Sequence, residues 1–270
     1  MGPPGDPRHI VVNGVRLAYD DLGDGPAILF VHGFLLDRTM WRHQVRTLDG
    51  LRRIAPDLRG MGRSEAPEQP YDVSVYADDL AGLLDALGVE RTVVCGLSLG
   101  GYVAFELLRR HRERVAALVV LDARAEADTA ERRARRTEMI ARVRHGDVGG
   151  LLDELAPTFL AHDAPADVRR QLRAMMRCPA PAGIVGALEA MRDRPDALPV
   201  LRSSAPPTLL LIGEHDARTP RASMQEIADQ VPGSTVDSVP GSGHLPPLEN
   251  PAATTDRISA FLDGLGSVVR

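Results

Sequence analysis

The stretch RTVVCGLSLGGYVAFELLRR, Arg91 to Arg110, decides how the rest of the chain is read. An apolar run, Val93, Val94 and Cys95, meets Gly96; Ser98 stands two places further on, and Gly100 and Gly101 follow. Apolar residues then recur at helical spacing. A chain that turns so sharply from strand to helix forces its junction residue into a strained backbone. Neighbours two places away then pass so close that side chains would collide. Glycine at 96, 100 and 101 removes those collisions. The spacing therefore predicts a buried strand, a tight turn and a helix. The Ser98 hydroxyl would stand at the carboxyl end of a sheet, with the helix N-terminus and its free N–H groups beneath it.

Outward from this turn, strand and helix patterns alternate. VRLAYDDL (Val15 to Leu22) reads as a half-exposed antiparallel strand and AILFVHG (Ala27 to Gly33) as a strand buried on both faces. A short strand ends near Ala55, before Pro56. VSVYADDLAGLLDALG (Val73 to Gly88) reads as a helix stopped by glycine. After Ser98 and its helix comes the strand AALVVLD (Ala116 to Asp122). From about Arg124 to Arg202 strand patterns vanish, and TAERRARRTEMIARVRHG, ADVRRQLRAMMR and GIVGALEAMRDR predict three helices. Strands resume at PTLLLIGEHD (Pro207 to Asp216) and STVDSVPGSGH (Ser234 to His244), each followed by a helix. Such alternation implies a mainly parallel α/β sheet with helices on both faces. Residues 1–123 and 203–270 are expected to form its core, and 124–202 a helical cap. The arginines from Arg132 to Arg144, interleaved with acids, read as a solvated helix face.

The 270 residues can bury a large core. Hydrophobic residues at 44% and charged residues at 26% fit a soluble globular chain, and a net charge of −5 argues against nucleic acid as the main partner. No run approaches the roughly 18 apolar residues of a membrane span. MGPPGDPRH lacks the apolar segment of a signal peptide and reads as a short disordered lead. Cys95 and Cys178 show neither metal-ligand spacing nor a disulfide framework, so a cytoplasmic protein without metal or cofactor is expected. Every basic residue is arginine, which excludes lysine Schiff-base chemistry and a GK[ST] phosphate loop.

A serine hydroxyl is a poor nucleophile at neutral pH. It needs a base within hydrogen-bond reach, held in one tautomer by an acid. In chain order the acid and the histidine should follow the serine, each at the end of a later strand. Asp216 in LLLIGEHDARTP and His244 in PGSGHLPPLE stand at those places, with Glu214 as an alternative acid. An oxyanion needs two preorganised donors, expected to be the backbone N–H groups of Leu99 and Phe34. His32, at the end of a buried strand, is placed to fix the loop beside them, and Gly33 lets that backbone approach. Trp41 either lines an acyl pocket or packs in the core, and His32, Gly33 and Trp41 are together the candidate substrate-pocket residues.

VHGF (Val31 to Phe34), DLRGMGRS (Asp57 to Ser64), GLSLGG (Gly96 to Gly101), GEHDARTP (Gly213 to Pro220) and GSGHLPPLENP (Gly241 to Pro251) together resemble the α/β-hydrolase family, from about Val11 to Leu265. The resemblance implies an eight-stranded, mostly parallel sheet, a helical cap after strand six, and Ser98, Asp216 and His244 as a triad. Asp57 and Arg59 would then be scaffold. Serine at 98 argues against the haloalkane dehalogenases and epoxide hydrolases of that family, which place aspartate there. HGF, Met40-Trp41 and GLSLGGYVAFELL look most like esterases and 3-oxoadipate enol-lactonase-like members. Arg173, Arg177, Arg192 and Arg194 would be candidates for a cationic pocket. The expected activity is hydrolysis of a small-molecule carboxylic ester or lactone through an acyl-enzyme. C–C bond hydrolysis or perhydrolase chemistry on the same triad stays open, as does ligand sensing on a hydrolase fold. The oligomeric state is not legible.

Overall fold

The computed structural model describes residues 6–68 and 71–266. In chain order the strands and helices are β1 (Arg8–Val12), β2 (Val15–Leu22), β3 (Ala27–Val31), α1 (Arg42–Thr47), β4 (Arg52–Pro56), α2 (Val73–Ala86), β5 (Thr92–Leu97), α3 (Leu99–Arg110) and β6 (Val115–Leu121). Five helices follow before the next strand: α4 (Ala130–Arg144), α5 (Val148–Leu155), α6 (Ala166–Met176), α7 (Pro181–Asp193) and α8 (Leu198–Ser204). The chain returns through β7 (Thr208–Gly213), α9 (Arg221–Gln230), β8 (Ser234–Val239), α10 (Pro246–Glu249) and α11 (Pro251–Leu265).

Eight strands form one sheet in the order β1-β2-β4-β3-β5-β6-β7-β8. β2 runs antiparallel to both β1 and β4, and the other pairs are parallel. This is the α/β-hydrolase sheet that the motifs imply. β3, β5, β6 and β7 are buried along their whole length, which is why they read as continuous apolar runs. The crossover from β3 leads to β4 on one side, whereas that from β5 leads to β6 on the other. Right-handed crossovers then put α1 on one face and α2 and α3 on the opposite face. In keeping with this, α2 packs on α3, and α1 on α11. The neighbouring strands β3 and β5, whose connections leave in opposite directions, open a crevice at their carboxyl ends. Ligands of open α/β sheets bind in such crevices.

Two expectations need correction. Arg8 and His9 do not belong to a disordered lead; they pair with Tyr19 and Ala18 in the β1–β2 hairpin, while residues 1–5 lie outside the described residues. The stretch between β6 and β7 holds five helices rather than three. α5 and α8 are short, and the paired glycines and the proline within them hide the helical period.

Candidate active site

Ser98 sits between β5 and α3 at φ 53°, ψ −111°, a backbone conformation that few residues other than glycine adopt. Close packing holds it there. A side chain at Gly96 would strike the Gly100 carbonyl, one at Gly100 the Val31 carbonyl, and one at Gly101 the Ala123 side chain. At Gly96 and Gly100 strand, turn and helix touch backbone to backbone, and at Gly101 the helix packs on the side chains of Ala123 and Val120. The Ser98 N–H donates to the Leu121 carbonyl of β6 at 2.9 Å, and the Ser98 carbonyl accepts from Gly101 N–H at 2.9 Å. Among the described residues the Leu99 and Phe34 N–H groups donate to no loop or side-chain acceptor.

His244 follows β8. Its Nδ1 lies 2.9 Å from Asp216 Oδ2, with both side chains almost fully buried. Its Nε2 is buried and has no hydrogen-bond partner among the described residues. An imidazole whose Nδ1–H donates to a carboxylate presents Nε2 as a free acceptor, the state required of a general base. Asp216 also accepts the Arg218 N–H at 2.7 Å. Burial pushes the Asp216 pKa up, but the His244 imidazole, its hydrogen bond and the Arg218 N–H outweigh burial and bring it down to about 2. Glu214, the alternative acid, is exposed; it accepts the Gly241 N–H and does not touch His244.

Two further acids complete the setting, and neither was singled out from the sequence. Asp122, fully buried at the carboxyl end of β6 with φ 48°, accepts the Gly213 N–H at 2.9 Å. Its carboxyl, Asp216 and His244 bring ligand atoms within 4.8 Å of one another. Burial and the Asp216 charge push the Asp122 pKa well above the ordinary carboxylate value. Glu249 accepts the N–H groups of Gly243 (2.9 Å), Leu245 (3.1 Å) and Ala161 (2.7 Å). It thus grips the His244 loop on both sides and ties it to the helical stretch, where the Phe159 carbonyl accepts the His244 N–H at 3.1 Å.

Ser98 and His244 line one cavity of about 320 Å³, together with Phe34, Tyr102, Met139 and Phe159. His32, Gly33 and Trp41 lie outside that lining. His32 is fully buried and bridges the Gly33 carbonyl (Nδ1, 2.8 Å) and the Leu58 N–H (Nε2, 2.9 Å), and burial lowers its pKa. The neutral ring therefore staples the loop after β3 to the loop after β4. Trp41 is core, tilted on Phe30 at 5.1 Å. Asp57 accepts from Arg38 and Arg63, and Arg59 pairs with Asp79, both away from the cavity.

The arginines of this cavity are not the expected ones. Arg173 pairs with Asp153 on the surface, Arg192 with its neighbour Asp193, and Arg177 is exposed. Arg194 lies over the Tyr102 ring at 4.0 Å and pairs with Asp128. The lining instead holds Arg124, Arg132, Arg135, Arg136 and Arg218. Arg132, Arg135, Arg136 and Met139 fall at i, i+3, i+4 and i+7 of α4, so one stripe of that helix borders the cavity, with Arg132 and Arg136 half-buried, while Arg133, Arg135 and Arg144 stay exposed as the sequence predicts.

A family model described as the alpha/beta hydrolase fold matches residues 26–251. Among solved structures, a thermophilic esterase from Thermogutta terrifontis, in a malate-bound form, superposes with a TM-score of 0.90 at 37% sequence identity, covering 98% of this chain and 99% of its own. The enol-lactonase from Burkholderia xenovorans LB400 superposes with a TM-score of 0.86 at 27% identity, covering 95% of this chain and 100% of its own. Over 116 residues the chain is 41% identical to epoxide hydrolase 2 of Siraitia grosvenorii, spanning 42% of this chain and 37% of that protein. No helix among the described residues is long and apolar enough to cross a membrane.

Proposed function

This chain belongs to the alpha/beta hydrolase fold family, and we propose that it hydrolyses a small carboxylic ester or lactone through an acyl-enzyme on Ser98. The observation that carries the reading is that Ser98, on its strained turn, and the partnerless Nε2 of His244 share one cavity, with Asp216 fixing the opposite ring nitrogen. In the proposed sequence Ser98 Oγ attacks the carbonyl while His244 Nε2 takes its proton. The Phe34 and Leu99 N–H groups hold the tetrahedral oxyanion. The imidazolium then protonates the leaving alcohol, and water repeats the steps to release the acid. Asp216 steadies the imidazolium without itself taking a proton. Serine at 98 favours acyl transfer over epoxide opening, and the likeness to an esterase and an enol-lactonase supports an ester or lactone. Residues 124–202 would act as a cap supplying α4 to the substrate cavity.

Hydrolysis of short-acyl 4-nitrophenyl esters tests the reading. Turnover by the wild type should fall at least about 10³-fold in Ser98→Ala. Undiminished turnover in that variant overturns it.

A further inference from the structure

Elsewhere in this chain most buried or half-buried arginines meet carboxylates, Arg42 and Arg169 excepted. Arg38 pairs with Asp57 and Asp20, Arg59 with Asp79, and Arg52 with Asp21. At the Ser98 cavity that habit breaks. Its single lining carboxylate, Asp128, is already taken by Arg136 and Arg194, and Arg135 reaches toward Glu154. The other three arginines form no ion pair with a carboxylate among the described residues. Arg124 donates to the Ser223 hydroxyl (2.7 Å) and the Arg218 carbonyl (2.9 Å), both neutral. Arg218 donates to the Thr158 hydroxyl (2.6 Å) and lies over the Phe159 ring at 4.3 Å. Arg132, half-buried, makes no side-chain hydrogen bond among the described residues.

Cations withdrawn from water without a counter-ion are unfavourable unless something anionic joins them. Arg124 and Arg218 feel this: burial lowers both pKa values, that of Arg218 to about 10. Neutral oxygens and an aromatic face hold these guanidiniums in place, and no carboxylate is in direct contact with them among the described residues. Guanidinium is suited to planar, bidentate capture of a carboxylate.

We propose that Arg124, Arg132 and Arg218 form a carboxylate seat, so that the preferred substrate is an ester or lactone carrying a free carboxylate beside its reactive carbonyl. The inference rests on Ser98 chemistry in this same cavity, and it names the substrate class. A cavity of about 320 Å³ restricts the class to small acids. The acyl carbonyl would lie at Ser98, and the remote carboxylate toward α4 and the loop after β7.

Two matched pairs of esters test it: mono-4-nitrophenyl glutarate against 4-nitrophenyl valerate, and 4-acetoxybenzoate against 4-acetoxybenzamide. In at least one pair the anionic ester should have a kcat/KM about ten-fold or more above its neutral partner, and the ratio should shrink with added salt. Arg132→Gln and, separately, Arg218→Gln should each bring that ratio towards one, and Arg132→Lys should restore part of it. Equal kcat/KM within both pairs, or a ratio untouched by both glutamine variants, overturns the seat. If no ester is turned over, the hydrolytic reading fails on its own, and calorimetry of glutarate with Ser98→Ala protein judges the seat. Binding weakened about ten-fold by Arg132→Gln upholds it, and absence of binding overturns it.

Discussion

The carboxyl groups of Asp122 and Asp216 meet His244 beyond the ends of β6 and β7, one ligand atom of each lying within 4.8 Å of the others. The arrangement divides the labour between two like groups. Burial and the Asp216 charge raise the Asp122 pKa well above its ordinary value, whereas the His244 imidazole, its hydrogen bond and the Arg218 N–H outweigh burial and bring that of Asp216 down to about 2.

The pair fixes the sign of a pH effect. The folded Asp122 pKa lies well above its ordinary 3.8, so its contribution to stability is complete below about pH 4 and is eroded as the pH rises towards the folded value. Asp122→Asn keeps a donor for Asp216 and an oxygen for the Gly213 N–H, with no proton to lose. Urea denaturation between about pH 5 and pH 8 should show the variant gaining on the wild type by up to about 1.4 kcal/mol per pH unit. A constant difference would mean that Asp122 is ionised in the fold.

Asp216→Asn should leave the fold intact and lower kcat about 10⁴-fold, because an amide that donates to Nδ1 turns the imidazole into the wrong tautomer. Steady-state hydrolysis of a 4-nitrophenyl ester reads this directly, and circular dichroism checks the fold. A fall of less than about ten-fold would exclude Asp216 as the residue that orients His244.

Glu249 answers three backbone donors at once, so its loss leaves them unpaired in a half-buried loop. Glu249→Ala should cost about 2–3 kcal/mol in chemical denaturation and reduce kcat/KM about ten-fold as the His244 loop loosens. Glu249→Gln, which keeps one acceptor oxygen, should fall between.

Two glycines should respond in opposite directions. Gly100→Ala drives a methyl into the Val31 carbonyl, part of the backbone of a central strand, and should destabilise by about 3 kcal/mol or prevent soluble expression. Gly149, in α5, has nothing within 4 Å of where a methyl would stand, and Gly149→Ala should raise stability by about 0.5–1 kcal/mol. Thermal melts of the two variants decide it.

The places of Ser98, Asp216 and His244 after β5, β7 and β8 were legible in the sequence, because β5 and β7 read as apolar runs and the alternating β8 still reads as a strand before the glycine-rich loop of His244. Asp122 stands in the same position after β6 but carries no local mark. What distinguishes it is a pKa raised by burial and by the charge of Asp216, a residue far along the chain. The α4 arginines did carry a signal, the 132/135/136/139 stripe, which interleaved acids disguised as a solvated face. The β1–β2 hairpin was also readable. Asn13-Gly14, with φ 48° and 75°, joins two alternating runs through a turn that this dipeptide favours.

The account stands on Ser98 being the atom that takes the acyl group. Intact-protein mass spectrometry after exposure to a fluorophosphonate measures this most directly. One adduct per chain should form, map to the peptide containing Ser98, and be absent in Ser98→Ala. A wild-type chain that turns over esters yet stays unlabelled, or an adduct on another residue that persists in Ser98→Ala, would contradict it.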